Sequence, residues 1–245
     1  MAGGSWFFSE PQPAVTGLVD LTALAWPAVE ATHRGLRLAA TCTLAELAAL
    51  DRTGWAAEPL FRECCRALLG SFKVWNVATV GGNLCLALPA GPMAALAIAL
   101  DGSLEIWRAD GTLDNVDAVD LIVGPGETAL ARGDVLRAID LPARALSGTT
   151  ASRKASLRPL GRSAAFVVGR RDIDGRFTIV VTAATAHPYR FRFDVLPTRA
   201  GLRAALETIP AWHDDPHGSP DWRRAITLRL AEEIRVELAP DPVPA

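Results

Sequence analysis

The chain has 245 residues, a formal net charge of −2, and hydrophobic residues at half of its positions. That length allows one large or two modest domains, and that apolar content supports a packed core, which excludes disorder as a description of the whole chain. The near-neutral charge, without any Lys/Arg run, excludes the basic footprint of a nucleic-acid binder and a polybasic membrane anchor.

In chain order, residues 2–5 read Ala-Gly-Gly-Ser at the very start. Residues 17–21 (GLVDL) read as a short strand, and 36–40 (LRLAA) as another. Residues 43–50 place Thr43 three before Glu46 and then an apolar face, a capping-box helix. Residues 58–69 carry Leu60, Cys64, Ala67 and Leu68 at helical spacing. Residues 73–80 (KVWNVATV) are β-branched and short, which predicts a strand ending at Gly81-Gly82-Asn83. Pro92 suits the first position of a helix running to about Leu100. A strand is expected over 103–108, a hairpin turn at Asp110-Gly111, and a further strand over 135–141. Residues 142–150 lose all periodicity, which places a domain boundary there. Beyond it, 163–169 and 177–186 read as strands joined by a turn at 172–175, and 189–195 alternates as a third. Residues 202–209 read as a helix, and 221–238 as an amphipathic one with Ile226, Leu230, Ile234 and Leu238 on one face. Residues 240–245 read as a loose tail. The second half is thus a strand layer on helices, an α+β domain.

Two Gly-Gly-polar triplets carry the chemistry: Gly3-Gly4-Ser5, and Gly81-Gly82-Asn83 behind Thr79. Glycine admits positive φ and has no Cβ, so backbone N–H groups can converge closely on an anion, with Ser, Thr or Asn adding side-chain donors. Two such turns on neighbouring strands would grip both phosphates of a dinucleotide. Each alone is equally a tight turn. A phosphate-binding G-x-x-x-x-G-K-[ST] loop is absent. The Gly124-Pro125-Gly126 segment imitates a dinucleotide fingerprint, but Pro125 interrupts it, so it reads as a surface loop. His213 and His217 are separated by Pro216, which denies them a shared helical face, so a polar loop is expected. The four cysteines, Cys42, Cys64, Cys65 and Cys85, contain no C-x-x-C and read as buried free thiols in a reducing cytosol, without an iron–sulfur cluster of their own. No signal peptide opens the chain, and the best apolar run, residues 93–100, is far too short to span a bilayer.

Residues 75–83, WNVATVGGN, resemble the R-N-x-A-T-[IV]-G-G-N loop of the FAD-binding medium subunits of molybdopterin dehydrogenases, the xanthine and carbon monoxide dehydrogenase type. Ala2-Gly3-Gly4-Ser5 resembles that family's A-G-G-T/S loop. Residues 18–21 and 36–47 are similar to its L-V-D-L strand and the stretch after it, and 124–141 to its loop and strand before the C-terminal domain. The resemblance covers most of residues 2–142, and more loosely 158–186. It implies an α+β or α/β chain: a two-part FAD-binding domain of the PCMH type over 1–144, with subdomains of about 1–50 and 51–144, then a small α+β C-terminal domain over 145–245. It further implies that Ala2, Gly3, Gly4 and Ser5 face the FAD pyrophosphate from one side and Thr79, Gly81, Gly82 and Asn83 from the other. Leu136 and Arg158 fall at positions near the flavin. No general acid or base is implied.

Three departures stand out. The family has a strand and helix before its A-G-G loop, whereas Met1 abuts the loop here. Pro92 stands where the family has an Asp that resembles a flavin-side hydroxyl contact, a loss of about 1.5–3 kcal/mol for a charge-assisted hydrogen bond, or roughly tenfold to a hundredfold in FAD affinity. Trp75 stands where Arg is usual. The expectation is an FAD-binding electron-transfer subunit in the cytoplasm. It relays electrons from an iron–sulfur subunit to NAD or another acceptor, beside a molybdopterin subunit that oxidises the substrate. The alternative is a flavin-free scaffold or assembly subunit that keeps the fold.

Overall fold

A computed structural model describes residues 1–51 and 54–240. The earliest elements form where local signals are strongest. Helix α1 (Leu44–Ala48) starts on the expected capping box: the Glu46 N–H donates to Thr43 Oγ1 at 3.1 Å, and the Thr43 N–H donates to Glu46 Oε2 at 2.8 Å. Helix α2 (Glu58–Ala67) buries Leu60, Phe61, Cys64 and Cys65. Helix α5 (Pro92–Ala99) has Pro92 in its first turn and buries all eight of its residues, as an all-round apolar helix must.

Around α5 lie two antiparallel sheets. The first has the order β1 (Val29–Thr32), β2 (Gly35–Ala39), β7 (Val135–Pro142), β3 (Ser103–Trp107), β4 (Leu113–Asp117). The β3–β4 hairpin turns where expected: Gly111 has φ +87°, and Asp110 accepts the Thr112 N–H at 2.9 Å. A two-stranded ribbon, β5 (Ile122–Gly124) with β6 (Glu127–Thr128), occupies the Gly-Pro-Gly segment.

The second sheet has the order β11 (Tyr189–Phe193), β10 (Phe177–Thr182), β9 (Ala165–Arg171), β8 (Thr149–Ala155). Its strands feed two cores by simple alternation. Phe166, Val168 and Val180 point into the core around α5. Ala165, Val167, Ile179 and Val181 point the other way, onto helices α7 (Arg199–Leu206) and α8 (Pro220–Glu237). On α8, Leu230 and Ile234 are buried, and Leu238 just beyond it is too, whereas Ile226 is only half-buried.

Central to that contact is Gly169, where an added Cβ would lie 2.2 Å from Ile234 Cγ2. Gly169→Ala is therefore expected to destabilise the protein by about 1–3 kcal/mol through overpacking. In an Ile234→Ala background, which lacks Cγ2, Gly169→Ala should cost less, so that part of that loss is recovered in the urea midpoint. No recovery would mean that the strain lies elsewhere.

Two expected strands are absent. Residues 73–80 fold as helix α3 (Phe72–Trp75) and the start of helix α4 (Val80–Leu86). The Ser71 and Thr79 side chains cap both helices, and those local hydrogen bonds outweigh the β preference of the valines. Residues 17–21 are largely exposed chain. Among the described residues, and outside the short helical turn that Leu21 opens, their backbone bonds to Met1, whose ammonium donates to Val19 O at 2.6 Å and whose carbonyl accepts the Leu21 N–H at 2.9 Å. The aperiodic stretch at 142–150 is ordered as helix α6 (Ala143–Leu146) and the first residues of β8. Residues 241–245 of the expected tail lie outside the described residues.

Candidate functional site

The amino-terminal turn is held by the two Met1 bonds and by the Phe8 N–H, which donates to Gly4 O at 2.9 Å. Gly4 has φ +74°, the left-handed region that glycine enters without a Cβ penalty. Among the described residues, nothing accepts the N–H groups of Ala2, Gly3, Gly4 and Ser5. Four consecutive unspent amides around a left-handed glycine have the makings of an anion nest.

The segment that leads into the second glycine pair, Val77–Thr79, lies against this turn. A Cβ on Gly3 would sit 1.8 Å from Val77 O and 3.2 Å from Thr79 Cγ2, so the two segments are in backbone contact. The chemistry of the second segment differs from the expectation, however. It is the first turn of α4, and its amides are already used. Val80 N–H donates to Cys42 O (2.8 Å), Gly81 N–H to Ala40 O (2.9 Å), Gly82 N–H to Thr79 Oγ1 (3.0 Å) and Asn83 N–H to Thr79 O (2.9 Å). Gly81 is glycine for packing, since a Cβ there would meet Ala40 Cβ at 2.5 Å. Gly82 is exposed and its main chain carries no Cβ, which would meet only the capping Thr79 Oγ1, at 2.8 Å. Thr79 is 3 % exposed and serves as the cap. Asn83 uses its Oδ1 to accept the Met93 N–H at 3.1 Å, which caps α5 beside Pro92. Its Nδ2 remains free among the described residues.

Leu136 lies in the core at 4 % exposure, on β7 opposite Ile106. Arg137, next to it, accepts the Ala40 N–H through its carbonyl, so Leu136 supports the strand ends beneath Gly81. Arg158 sits on an exposed turn closed by Ser156 Oγ and Gly161 N–H, both donating to Arg158 O at 2.6 and 2.8 Å.

Four residues further on, Arg162 and Ser163 line a cavity of about 280 Å³ that Asn83 also lines. Leu68, Leu69, Leu88 and Leu160 make its apolar wall. The sequence reading missed Arg162 and Ser163. The available signal was the second arginine of the R-x-x-x-R spacing in that loop.

Other candidates recede. Cys42, Cys64 and Cys65 are buried free thiols, and burial pushes Cys42 and Cys65 up to about 12. Cys85, by contrast, is exposed, on the solvent side of the short helix α4. Among the described residues no three His, Cys, Asp or Glu side chains group as metal ligands, and no helix is long and apolar enough to cross a membrane. His213 and His217 lie in a loop, where Asp215 pairs with the buried Arg223.

For a diphosphate, the amino-terminal turn has four unspent amides to offer. The neighbouring α4 segment offers it only the bare surface of Gly82 and the Asn83 amide.

Residues 6–144 match the family described as FAD binding domain in molybdopterin dehydrogenase. Xanthine dehydrogenase 2 of Arabidopsis thaliana is 25% identical over 122 residues, which are 47% of this chain and 9% of that protein. The glyceraldehyde dehydrogenase medium chain of Sulfolobus acidocaldarius is 31% identical over 84 residues, 34% of this chain and 29% of that one. The chain thus spans less than a third of either curated relative. Among solved structures, carbon monoxide dehydrogenase from Hydrogenophaga pseudoflava superposes with a TM-score of 0.80 at 20% identity, over 98% of this chain and 88% of that chain. Quinoline 2-oxidoreductase from Pseudomonas putida 86 gives 0.77 at 20% identity, over 97% and 89%. At such identities the superpositions establish the fold, a mixed α/β architecture with antiparallel sheets, and the family match covers more than half the sequence. The chain belongs to the FAD-binding domain family of the molybdopterin dehydrogenases, an oxidoreductase family whose cofactor is FAD.

Proposed function

We propose that this chain is the electron-relay subunit of a molybdenum hydroxylase of the xanthine/carbon monoxide dehydrogenase type, working in the cytoplasm. The observation that carries the reading is the contact between the two glycine-bearing segments, one of them presenting four unspent amides. In this reading Ala2, Gly3, Gly4 and Ser5 donate to the FAD diphosphate. Gly82 lets the main chain approach it closely, Thr79 and Gly81 hold that surface in place, and the Asn83 amide donates from the side. Leu136 stiffens the sheet below. Arg158 stands at the loop rim, where it adds positive charge.

FAD, when bound, supplies the redox chemistry that links one-electron donors to a two-electron acceptor, and the protein supplies position and electrostatics. An iron–sulfur subunit would deliver electrons, a molybdopterin subunit would oxidise the substrate, and NAD or another acceptor would receive the electrons. The cysteine spacing gives this chain no cluster of its own, which is why we assign those roles to partners. The FAD-binding part is proposed as residues 1–144, with subdomains of about 1–50 and 51–144, followed by an α+β domain over 145–245. The family match over residues 6–144 supports that division.

Titration of the full chain with FAD, followed by flavin fluorescence, tests the reading. Saturation at one FAD per chain is expected. Gly82→Val should lose that binding and keep the circular dichroism of the wild type. A wild-type protein that stays colourless and takes up no FAD would favour the flavin-free scaffold instead.

A further inference from the structure

Charge is sorted unevenly along this chain. No Asp or Glu occurs in residues 64–100 or in residues 141–171, although acidic residues outnumber basic ones overall, 27 to 25. The fold brings these two acid-free stretches together. Leu69 from the first and Leu160 and Arg162 from the second line the same concavity, and no carboxylate lines it. Flanking those wall residues in the chain are Arg66 on α2, Lys73 on α3, Lys154 on β8 and Arg158 in the loop after it. None of these five cations has an ion pair among the described residues. Carboxylates that reach β8 are already engaged: Glu63 accepts from Ser152 Oγ at 2.7 Å, and Glu233 and Glu237 pair with Arg153.

Large apolar side chains stand out among the cations. Leu160 is 87 % exposed and Phe72 73 %, and Leu69 and Leu157 are exposed as well. Exposed apolar groups rimmed by charge have the anatomy of a docking face, in which the apolar centre supplies affinity and the rim supplies steering. We infer that this face docks a protein partner whose contact segment is acidic and carries an apolar side chain that covers Phe72, Leu157 and Leu160. Charge complementarity selects the acidic partner. The concavity between the two stretches selects a protein, because a flat bilayer surface does not follow it. In the relay reading above such a partner is an acidic electron carrier; that role rests on that reading, whereas the face does not.

A probe with this chemistry is a capped, fluorescein-labelled peptide of glutamates around a central phenylalanine. The full wild-type chain is expected to bind it in low salt and to weaken by about tenfold at physiological ionic strength. An all-glutamate peptide should bind about tenfold more weakly. Phe72→Ser and Lys73→Glu should each weaken the phenylalanine peptide by about tenfold and leave FAD uptake within about twofold. Both side chains are exposed, so circular dichroism should match wild type. Carbodiimide coupling maps the contact, since it joins a carboxylate to an amine touching it. Lys73 and Lys154 are the only lysines of the chain, and the adduct is expected on them rather than on the Met1 amine.

A wild-type chain that ignores the peptide overturns the inference, and so do unchanged affinities in both variants. Equal binding of the all-glutamate peptide overturns it too, by reducing the face to loose ion attraction. A parallel fall in FAD uptake would assign the face to the cofactor instead. Phosphatidylserine–phosphatidylcholine vesicles that bind the chain where the peptide does not would assign it to a membrane. A chain that binds the peptide but no FAD keeps the docking face and loses only the electron-carrier role.

Discussion

Gly3→Ala is expected to cost this protein its FAD while leaving its core intact. A methyl group there would lie 1.8 Å from Val77 O, a backbone atom that cannot rotate away, so the amino-terminal turn must lift off its neighbour. Losing two amide donors to a charged diphosphate removes about 3–6 kcal/mol, on the order of a hundredfold to ten-thousandfold in affinity. Stability should hardly change, because residues 1–34 contain no buried side chain. FAD titration and a urea midpoint, taken on the same preparation, separate the two effects. Gly17→Ala is the control: a Cβ there meets nothing within 4 Å, and both measurements should match wild type. If Gly3→Ala binds FAD normally, the turn is not part of the site.

The second large effect is expected at Asp101, far from the turn. This residue ends α5 in the left-handed region, with φ +49°, and its side chain is 5 % exposed. Its carboxylate takes Arg170 Nη2 at 2.6 Å, Arg192 Nη2 at 2.7 Å and Arg144 Nη1 at 2.8 Å. Arg170 is 1 % exposed and also binds Asp172 and Ala99 O. These contacts tie α5 to β9, β11 and α6.

Asp101→Asn keeps the volume and tolerates the left-handed backbone, but it strands the buried Arg170 with less than its charge needs. A loss of about 3–5 kcal/mol is expected at neutral pH, read from urea unfolding. Burial alone would raise the Asp101 pKa, but the Arg170 charge and the hydrogen bonds from Arg192 and Arg170 overcome it and hold it down at about 2. A carboxylate depressed on folding stabilises fully above its unfolded pKa of about 4 and loses that contribution as pH falls through its folded value. The gap between wild type and Asp101→Asn should therefore be full above pH 4 and shrink as pH falls toward 2. A gap that persists unchanged at pH 2 would point to packing rather than charge.

What the sequence revealed follows a physical divide. Elements with local signals were legible: the Thr43 capping box, the Pro92 start of α5, the Asp110-Gly111 turn and the long face of α8. The strands β1 and β8 were not, and both are sheet edges. Edge strands have little to bury, so neither VEAT nor TTASRKA shows apolar alternation; most residues of β1 are exposed.

The valines at 74, 77 and 80 suggested a strand because side-chain preference was weighed without the Ser71 and Thr79 caps. At the site, the glycines were found but their tasks were not. Whether a glycine frees an amide or admits a neighbour depends on what packs against it, and Ala40 lies more than forty positions before Gly81. Arg162 and Ser163 escaped for the same reason, since the loop that carries them meets Asn83 only in the folded chain.

The strands β9 and β10 send alternate side chains into two separate cores. Neither half of the molecule can therefore melt without stripping one side of the same ribbon of main chain. Heating should give a single calorimetric peak, and a protease that nicks the 142–150 segment should release no half that persists alone. For the proposed task of holding a redox group at fixed range from others, that shared wall resists drift between the two ends.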